Sequence, residues 1–227
     1  MILYNLFPLL AGPFGRWNEH FTRAAAMGFN WVYVNPIQQL GASRSLYSIA
    51  DYFQLNPALV DAANPAPAEE QCRQMTRQGR AAGLRLMTDL VINHSAYDSP
   101  LTREHPEWFE REPDGRIANA FCQHGSERVV WTDLAQFDHE HTRDREGLYR
   151  YCLGVVEHLI ALGFTGFRCD AAYQVPPEFW HRLIREVKGR HPDTCFVAET
   201  LGCSIDQTRA TARAGFDYVF TSSKWWD

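Results

Sequence analysis

Short apolar runs alternate along this chain with longer amphipathic stretches, and that alternation sets out its elements. Residues 2–7 read as a buried strand, closed by Pro8 and the turn cluster Gly12-Pro13-Phe14-Gly15. Helical spacing runs from Trp17 to Met27 and stops at Gly28, a residue suited to the turn that ends helices. Trp31 to Asn35 is a second strand, halted by Pro36, and a loop carrying Tyr47 and Asp51-Tyr52 follows. A helix from Ala68 to Ala82 opens after Pro65 and Pro67, and the strand Leu84 to Val91 leads into Asn93-His94. Beyond it, residues 95–144 lose the pattern and become rich in charge, His, Pro and Gly. A connection of that length is usually functional or a small subdomain. The pattern resumes with a helix from Arg145 to Leu162 and a strand ending at Asp170. A helix from Pro177 to Lys188, a strand Cys195 to Glu199, a helix Ile205 to Ala214 and a strand Phe216 to Phe220 complete it.

Strands this short and this apolar are buried on both faces, which argues for a parallel sheet with helices outside it. A doubly wound sheet would carry a glycine-rich phosphate loop after its first strand. Gly12-Pro13-Phe14-Gly15 lacks that form, and no Walker loop occurs. A (β/α)8 TIM barrel fits better, because polar residues collect at strand carboxyl ends: Asn35, Asp89, Arg168, Asp170 and Glu199. Only six strand–helix units are countable where closure needs about eight. The expectation is therefore an incomplete α/β barrel over residues 1–227 with a small insert at 95–144. An open barrel exposes two strand edges, so the remainder is expected C-terminal to Asp227, and this part alone is expected to be inactive.

The chemistry concentrates in two strands. Arg168 and Asp170 are two positions apart and share a strand face, so the guanidinium can hold the carboxylate ionised. The next strand delivers a second acid, Glu199. Two neighbouring strands each ending in an acid suit work on a glycosidic bond. A structural ion pair capping a strand explains Asp170 equally well.

Composition narrows the field. A net charge of −5 leaves no footprint for nucleic acid or anionic membrane. The six cysteines (72, 122, 152, 169, 195 and 203) include no Cys-x-x-Cys pair and no zinc spacing, so a reduced, cytoplasmic protein is expected. The N-terminus lacks a basic region and a cleavage site, and no apolar run is long enough to span a membrane.

Three ordered segments resemble signature regions of the α-amylase superfamily of glycoside hydrolases and transglycosylases. They are Asp89-Leu90-Val91-Ile92-Asn93-His94, Gly166-Phe167-Arg168-Cys169-Asp170 and Val197-Ala198-Glu199. Tyr47-Ser48-Ile49-Ala50-Asp51-Tyr52 is similar to that family's segment after the second strand. The resemblance implies a (β/α)8 barrel acting with retention on an α-glucan or maltooligosaccharide. It implies Asp170 as nucleophile, Glu199 as general acid/base, Arg168 orienting the nucleophile and Asp89 bracing Arg168. Tyr47 and His94 would contact the sugar, His94 by donating to a hydroxyl, with Asn93 beside them. His94 as a loop histidine and Tyr47 as plain core are the bland alternatives.

Two departures stand out. The family's third carboxylate follows a His-Asp pair on strand seven, and no such pair occurs here. Many α-amylases bind calcium between insert and barrel with help from a Lys-His pair, where this chain has Tyr173-Gln174. Asn93 alone makes no calcium site, which takes about six to eight oxygens, so no cofactor is expected. Glu104 to Phe109, Pro113-Asp114-Gly115, Pro176, Phe179-Trp180 and Phe220 to Trp225 resemble maltosyltransferases that extend α-glucans from maltose 1-phosphate. Ala171-Ala172-Tyr173 and Tyr47 resemble ordinary amylases. Rival readings are an inactive carbohydrate-binding barrel and a magnesium or manganese site of Asp170, Glu199 and His94. Intact acids oppose the first, and Arg168 competing for the same oxygens opposes the second.

Overall fold

A computed structural model describes residues 1–124 and 127–221. The chain runs through β1 (Leu3–Leu6), a single-turn helix α1 (Pro8–Ala11), α2 (Asn18–Ala26) and β2 (Trp31–Val34). The hairpin β3 (Gln38–Leu40) and β4 (Ile49–Leu55), then α3 (Ala68–Ala81) and β5 (Arg85–Leu90), come next. A further group holds β6 (His94–Ala96), the single-turn helix α4 (Leu101–Glu104), β7 (Asn119–His124) and β8 (Glu127–Gln136). The last six elements are α5 (Arg145–Ala161), β9 (Gly166–Cys169), α6 (Pro177–Arg190), β10 (Cys195–Thr200), α7 (Ile205–Ala212) and β11 (Tyr218–Thr221).

Six strands form one parallel sheet in the order β1-β2-β5-β9-β10-β11, which is chain order, curled into a half-barrel. Alternation sorts each strand's side chains between two faces. Val32, Val34, Leu86, Leu90, Phe167 and Phe196 join the main core under the helices. The inward apolar cluster is small, with Trp31, Met87, Cys195 and Val197 at its centre. Glycine is required there at position 166, because a Cβ would come within 2.5 Å of the Trp31 ring. Substituting alanine would push the indole out of the interior.

The helices follow from their sequence. The Asp144 side chain accepts from the Gly147 N–H at 3.0 Å and caps α5. Helical spacing then buries Leu148, Cys152, Val155 and Leu159 along one stripe, and Gly163, at φ +102°, turns the chain into the next strand. No described helix is long and apolar enough to cross a membrane.

Some expectations need correction. The segment 36–56 is no plain loop, since β3 and β4 pair antiparallel through shifted registers that hide the alternation. Residues 95–144 are not patternless either, because β6, β8 and β7 form a three-stranded antiparallel sheet. Its hairpin leaves Val129, Val130 and Trp131 exposed, so burial never imposes the usual apolar–polar alternation. Asp170 lies just past β9, with its N–H donating to Leu90 O at 3.0 Å. The expected motif Phe220 to Trp225 and the terminal Trp225-Trp226-Asp227 fall mostly outside the described residues.

Candidate active site

Parallel pairing stacks the polar strand ends in tiers. Arg168 on β9 stands level with Asp89 on β5 and Val197 on β10. Asp170 and Glu199 lie one alternation further toward the carboxyl edge. The Arg168 guanidinium donates through Nη1 to Asp89 Oδ1 at 2.7 Å and to Asp170 Oδ1 at 2.6 Å. Its Nη2 lies 3.6 Å from Glu199 Oε2. One cation thus faces three carboxylates, each with a side chain no more than 14% exposed. Three ionised acids around one guanidinium would leave a buried net negative charge, which favours the protonated form of the acids that are most desolvated.

Burial raises two of the three acids. It pushes the Glu199 carboxyl above its ordinary range, against the Arg168 charge and the N–H donors that favour ionisation. Those donors are Ala171 N to Oε2 at 2.9 Å and Leu201 N to Oε1 at 2.6 Å. Asp89, fully buried, is also raised by burial, to about 7, while Arg168 pulls the other way. Burial opposes the Arg168 charge, but Asp89 and Asp170 outweigh it and hold the guanidinium protonated.

A phenol pair completes the lower tier. Tyr33 Oη donates to Asp89 Oδ2 at 2.6 Å, Tyr47 Oη donates to the same oxygen at 3.2 Å, and Asn35 Nδ2 donates to Tyr47 Oη at 3.0 Å. Burial first, then the Asp89 charge, pushes the Tyr47 hydroxyl up to about 12. Sequence reasoning missed Tyr33. Its signal was available, because it sits two residues before Asn35 on the same strand face.

Above this network opens a cleft of about 350 Å³, lined by Tyr47, Asn93, His94, Asp170 and Glu199 among others. Arg168 and Asp89 lie outside its lining, behind Asp170. The ring of His94 is buried, and burial lowers its affinity for a proton. Its Nε2 lies 3.0 Å from Tyr47 O, so a neutral ring spends its one N–H on that carbonyl. The ring's Nδ1 is buried and has no partner among the described residues. Asn93 donates through Nδ2 to Gln174 Oε1 at 3.1 Å, and Gln174 Nε2 donates to Phe121 O at 2.6 Å. This amide relay ties a one-turn 3₁₀ helix, Ala172–Gln174, to β7. Asn93 Oδ1 is left buried without a partner among the described residues, but one such oxygen falls far short of the about six to eight that calcium takes, so these residues do not fit that ion.

Ala171, directly after Asp170, holds a left-handed backbone (φ +40°, ψ +47°) that costs a residue with a Cβ about 1 kcal/mol or more. The relay through Gln174 clamps the turn that contains it. In return, Ala171 aims its N–H at Glu199.

Residues 2–109 match the family model for the glucanotransferase domain of glycogen debranching enzyme. An α-1,4-glucan:maltose-1-phosphate maltosyltransferase of Arcanobacterium haemolyticum is 31% identical, over 98% of this chain and 35% of that protein. The enzyme of the same name in Mycolicibacterium smegmatis is 30% identical, over 98% and 34%. Among solved structures, an α-amylase from Lactobacillus plantarum superposes with a TM-score of 0.77 at 25% identity, covering 96% of this chain and 52% of that one. A maltogenic α-amylase, AmyB from Thermotoga neapolitana, gives 0.77 at 23% identity, covering 97% and 49%, and speaks for the fold alone. The chain spans about a third of the length of the curated relatives it matches.

Proposed function

The chain belongs to the α-amylase superfamily, and from that premise we propose that it carries the donor side of a retaining α-glucan glycosidase or transglycosylase. The observation that carries the reading is that Asp170 and Glu199 line a single cleft and face one guanidinium, that of Arg168. Arg168 holds Asp170 Oδ1, which leaves Oδ2 to attack the anomeric carbon of an α-glucan or maltooligosaccharide. As the Oδ2–carbon bond forms, the glycosidic bond breaks and Glu199 gives its proton to the leaving oxygen. Water or a glucan hydroxyl then attacks the same carbon, passes its proton to Glu199 and releases Asp170. Two inversions give net retention.

Asp89 braces Arg168 from below. Tyr47 offers its ring to the sugar, and Asn93 and His94 offer polar atoms beside it. Residues 95–144 serve as an insert that walls the cleft. The intact Asp89, Arg168, Asp170 and Glu199 argue against a purely binding barrel. Six free thiols favour a cytoplasmic setting. A maltosyltransferase using maltose 1-phosphate is the second reading, favoured by the names of the relatives at 30–31% identity.

A fluorinated glycosyl fluoride that stalls the second step tests the assignment in the full-length protein. Mass spectrometry of the digest is expected to place the sugar on the peptide containing Asp170. A sugar on another carboxylate, or none, would remove Asp170 as nucleophile.

A further inference from the structure

Two acids of the cluster compete for a proton, and a leaving oxygen can use it on only one. Burial raises both Asp89 and Glu199, yet Glu199 lines the cleft and Asp89 lies behind it. A proton on Asp89 is therefore idle. It also loosens Asp89 from Arg168, whose charge then bears more heavily on Asp170 and Glu199 and favours their ionised forms. What surrounds Asp89 thus bears on where the working proton sits. Asp89 is 0% exposed, so this chain's own residues supply that surrounding.

The side chains bonded to Asp89 all point donors at it. Arg168 Nη1 takes Oδ1, and the Tyr33 and Tyr47 hydroxyls share Oδ2. The phenols are held to that task from behind. Asn5 Nδ2 donates to Asn35 Oδ1 at 3.2 Å, which turns the Asn35 amide so that its Nδ2 meets Tyr33 Oη at 3.3 Å and Tyr47 Oη at 3.0 Å. A phenol that accepts from an amide on one side keeps its single O–H for the other. A proton on Oδ2 would then face two O–H groups, and a proton on Oδ1 would face the guanidinium. Either placement strands a donor in the interior, which is unfavourable. Two more titratable groups feel the Asp89 charge: Asp170 opposes its ionisation, and the buried Cys169 thiol keeps its proton.

We propose that Tyr33 is a positioning residue for the catalytic proton: its hydroxyl, donating to Asp89 Oδ2, keeps that acid ionised and leaves the proton to Glu199. Its bond is the shorter of the two from the phenols, 2.6 Å against 3.2 Å. Its ring packs on the inward cluster of Trp31, Met87, Cys195 and Val197, away from the cleft lining, so it acts through Asp89 and Arg168 without touching the sugar. Burial has already brought Asp89 to about 7, so the loss of one donor tips it toward the protonated form at neutral pH. The inference rests on the glycosidase reading above, in which Glu199 is the acid.

The test is Tyr33→Phe in the full-length protein, with kcat/KM followed across pH on maltotetraose and on maltose 1-phosphate. Without the hydroxyl, Asp89 holds its proton to higher pH. The variant is expected to lose about 10-fold at neutral pH and below, and to close on the wild type as pH rises and Asp89 ionises again. A variant equal to the wild type at every pH, or lower by one constant factor, overturns the inference and leaves glycosyl transfer standing. No turnover of either donor by the wild type overturns both. Carbon-13 NMR of the wild-type carboxyls, assigned with Asp89→Asn and Glu199→Gln, reads the same claim without a Tyr33 variant. Near the pH optimum Asp89 is expected ionised and Glu199 protonated, and the reverse order overturns the inference.

Discussion

Two arginines on one sheet, at opposite ends, are handled in opposite ways. At the amino end Arg85 is exposed, lies 4.1 Å over the Trp31 ring and donates to the Asp193 carbonyl. Its neighbours Lys188 and Asp217 pair one to one at 2.5 Å, each about a third exposed. Charge there is balanced locally and wet, which makes it worth little and reactive toward nothing. At the carboxyl end Arg168 is buried and faces three acids. Stability alone gives no reason to gather surplus buried charge. A mechanism that needs one ionised and one protonated acid does.

The largest effect expected is on rate. Asp170→Asn in the full-length protein should lower kcat/KM by roughly 10⁴-fold or more. Its melting temperature should hold, because the exchange relieves surplus negative charge. Collapse of the fold would make Asp170 a structural residue like Asp217. The second effect sets the two arginines against each other. Arg168→Ala strands Asp89 and Asp170 in the interior and should cost about 3–5 kcal/mol of stability in denaturant unfolding. Arg85→Ala should cost about 1 kcal/mol or less, the worth of an exposed stacked cation. Similar losses at both positions would erase the contrast.

A smaller effect tests the clamp on the turn after Asp170. Gln174→Ala frees that turn, so Ala171 N–H drifts from Glu199 and kcat should fall about 10- to 100-fold. That N–H stabilises the ionised acid, so its loss should also move the basic limb of the pH profile upward. A purely structural glutamine would leave the limb in place. The smallest effect is the limb itself. The general acid must be protonated, and burial raises Glu199, so kcat/KM should fall as pH rises through a value above the ordinary glutamate range. Glu199→Gln should remove the limb, and a limb that survives assigns the acid elsewhere.

How much of this was legible in the chain depends on what fixes each part. The barrel strands carry apolar runs because both faces are buried, so β2, β5, β9 and β10 could be read with their acids and Arg168 attached. The hairpin Asn119–Gln136 could not, since its exposed valines and Trp131 obey no burial pattern. Tyr33 looked like one more strand aromatic, although its hydroxyl is the shortest donor to Asp89. Gln174 was noticed only as a missing calcium ligand. Its role depends on two bonds to Asn93 and Phe121, 81 and 53 residues distant, which no local pattern encodes.

The central claim is that Asp170 and Glu199 serve one anomeric carbon from opposite faces. Proton NMR of the first product released from a maltooligosaccharide by the full-length protein reads this directly, before mutarotation blurs it. The account predicts the α-anomer. A β-anomer as the first product would mean that water attacks in a single step, and Asp170 would not be the nucleophile.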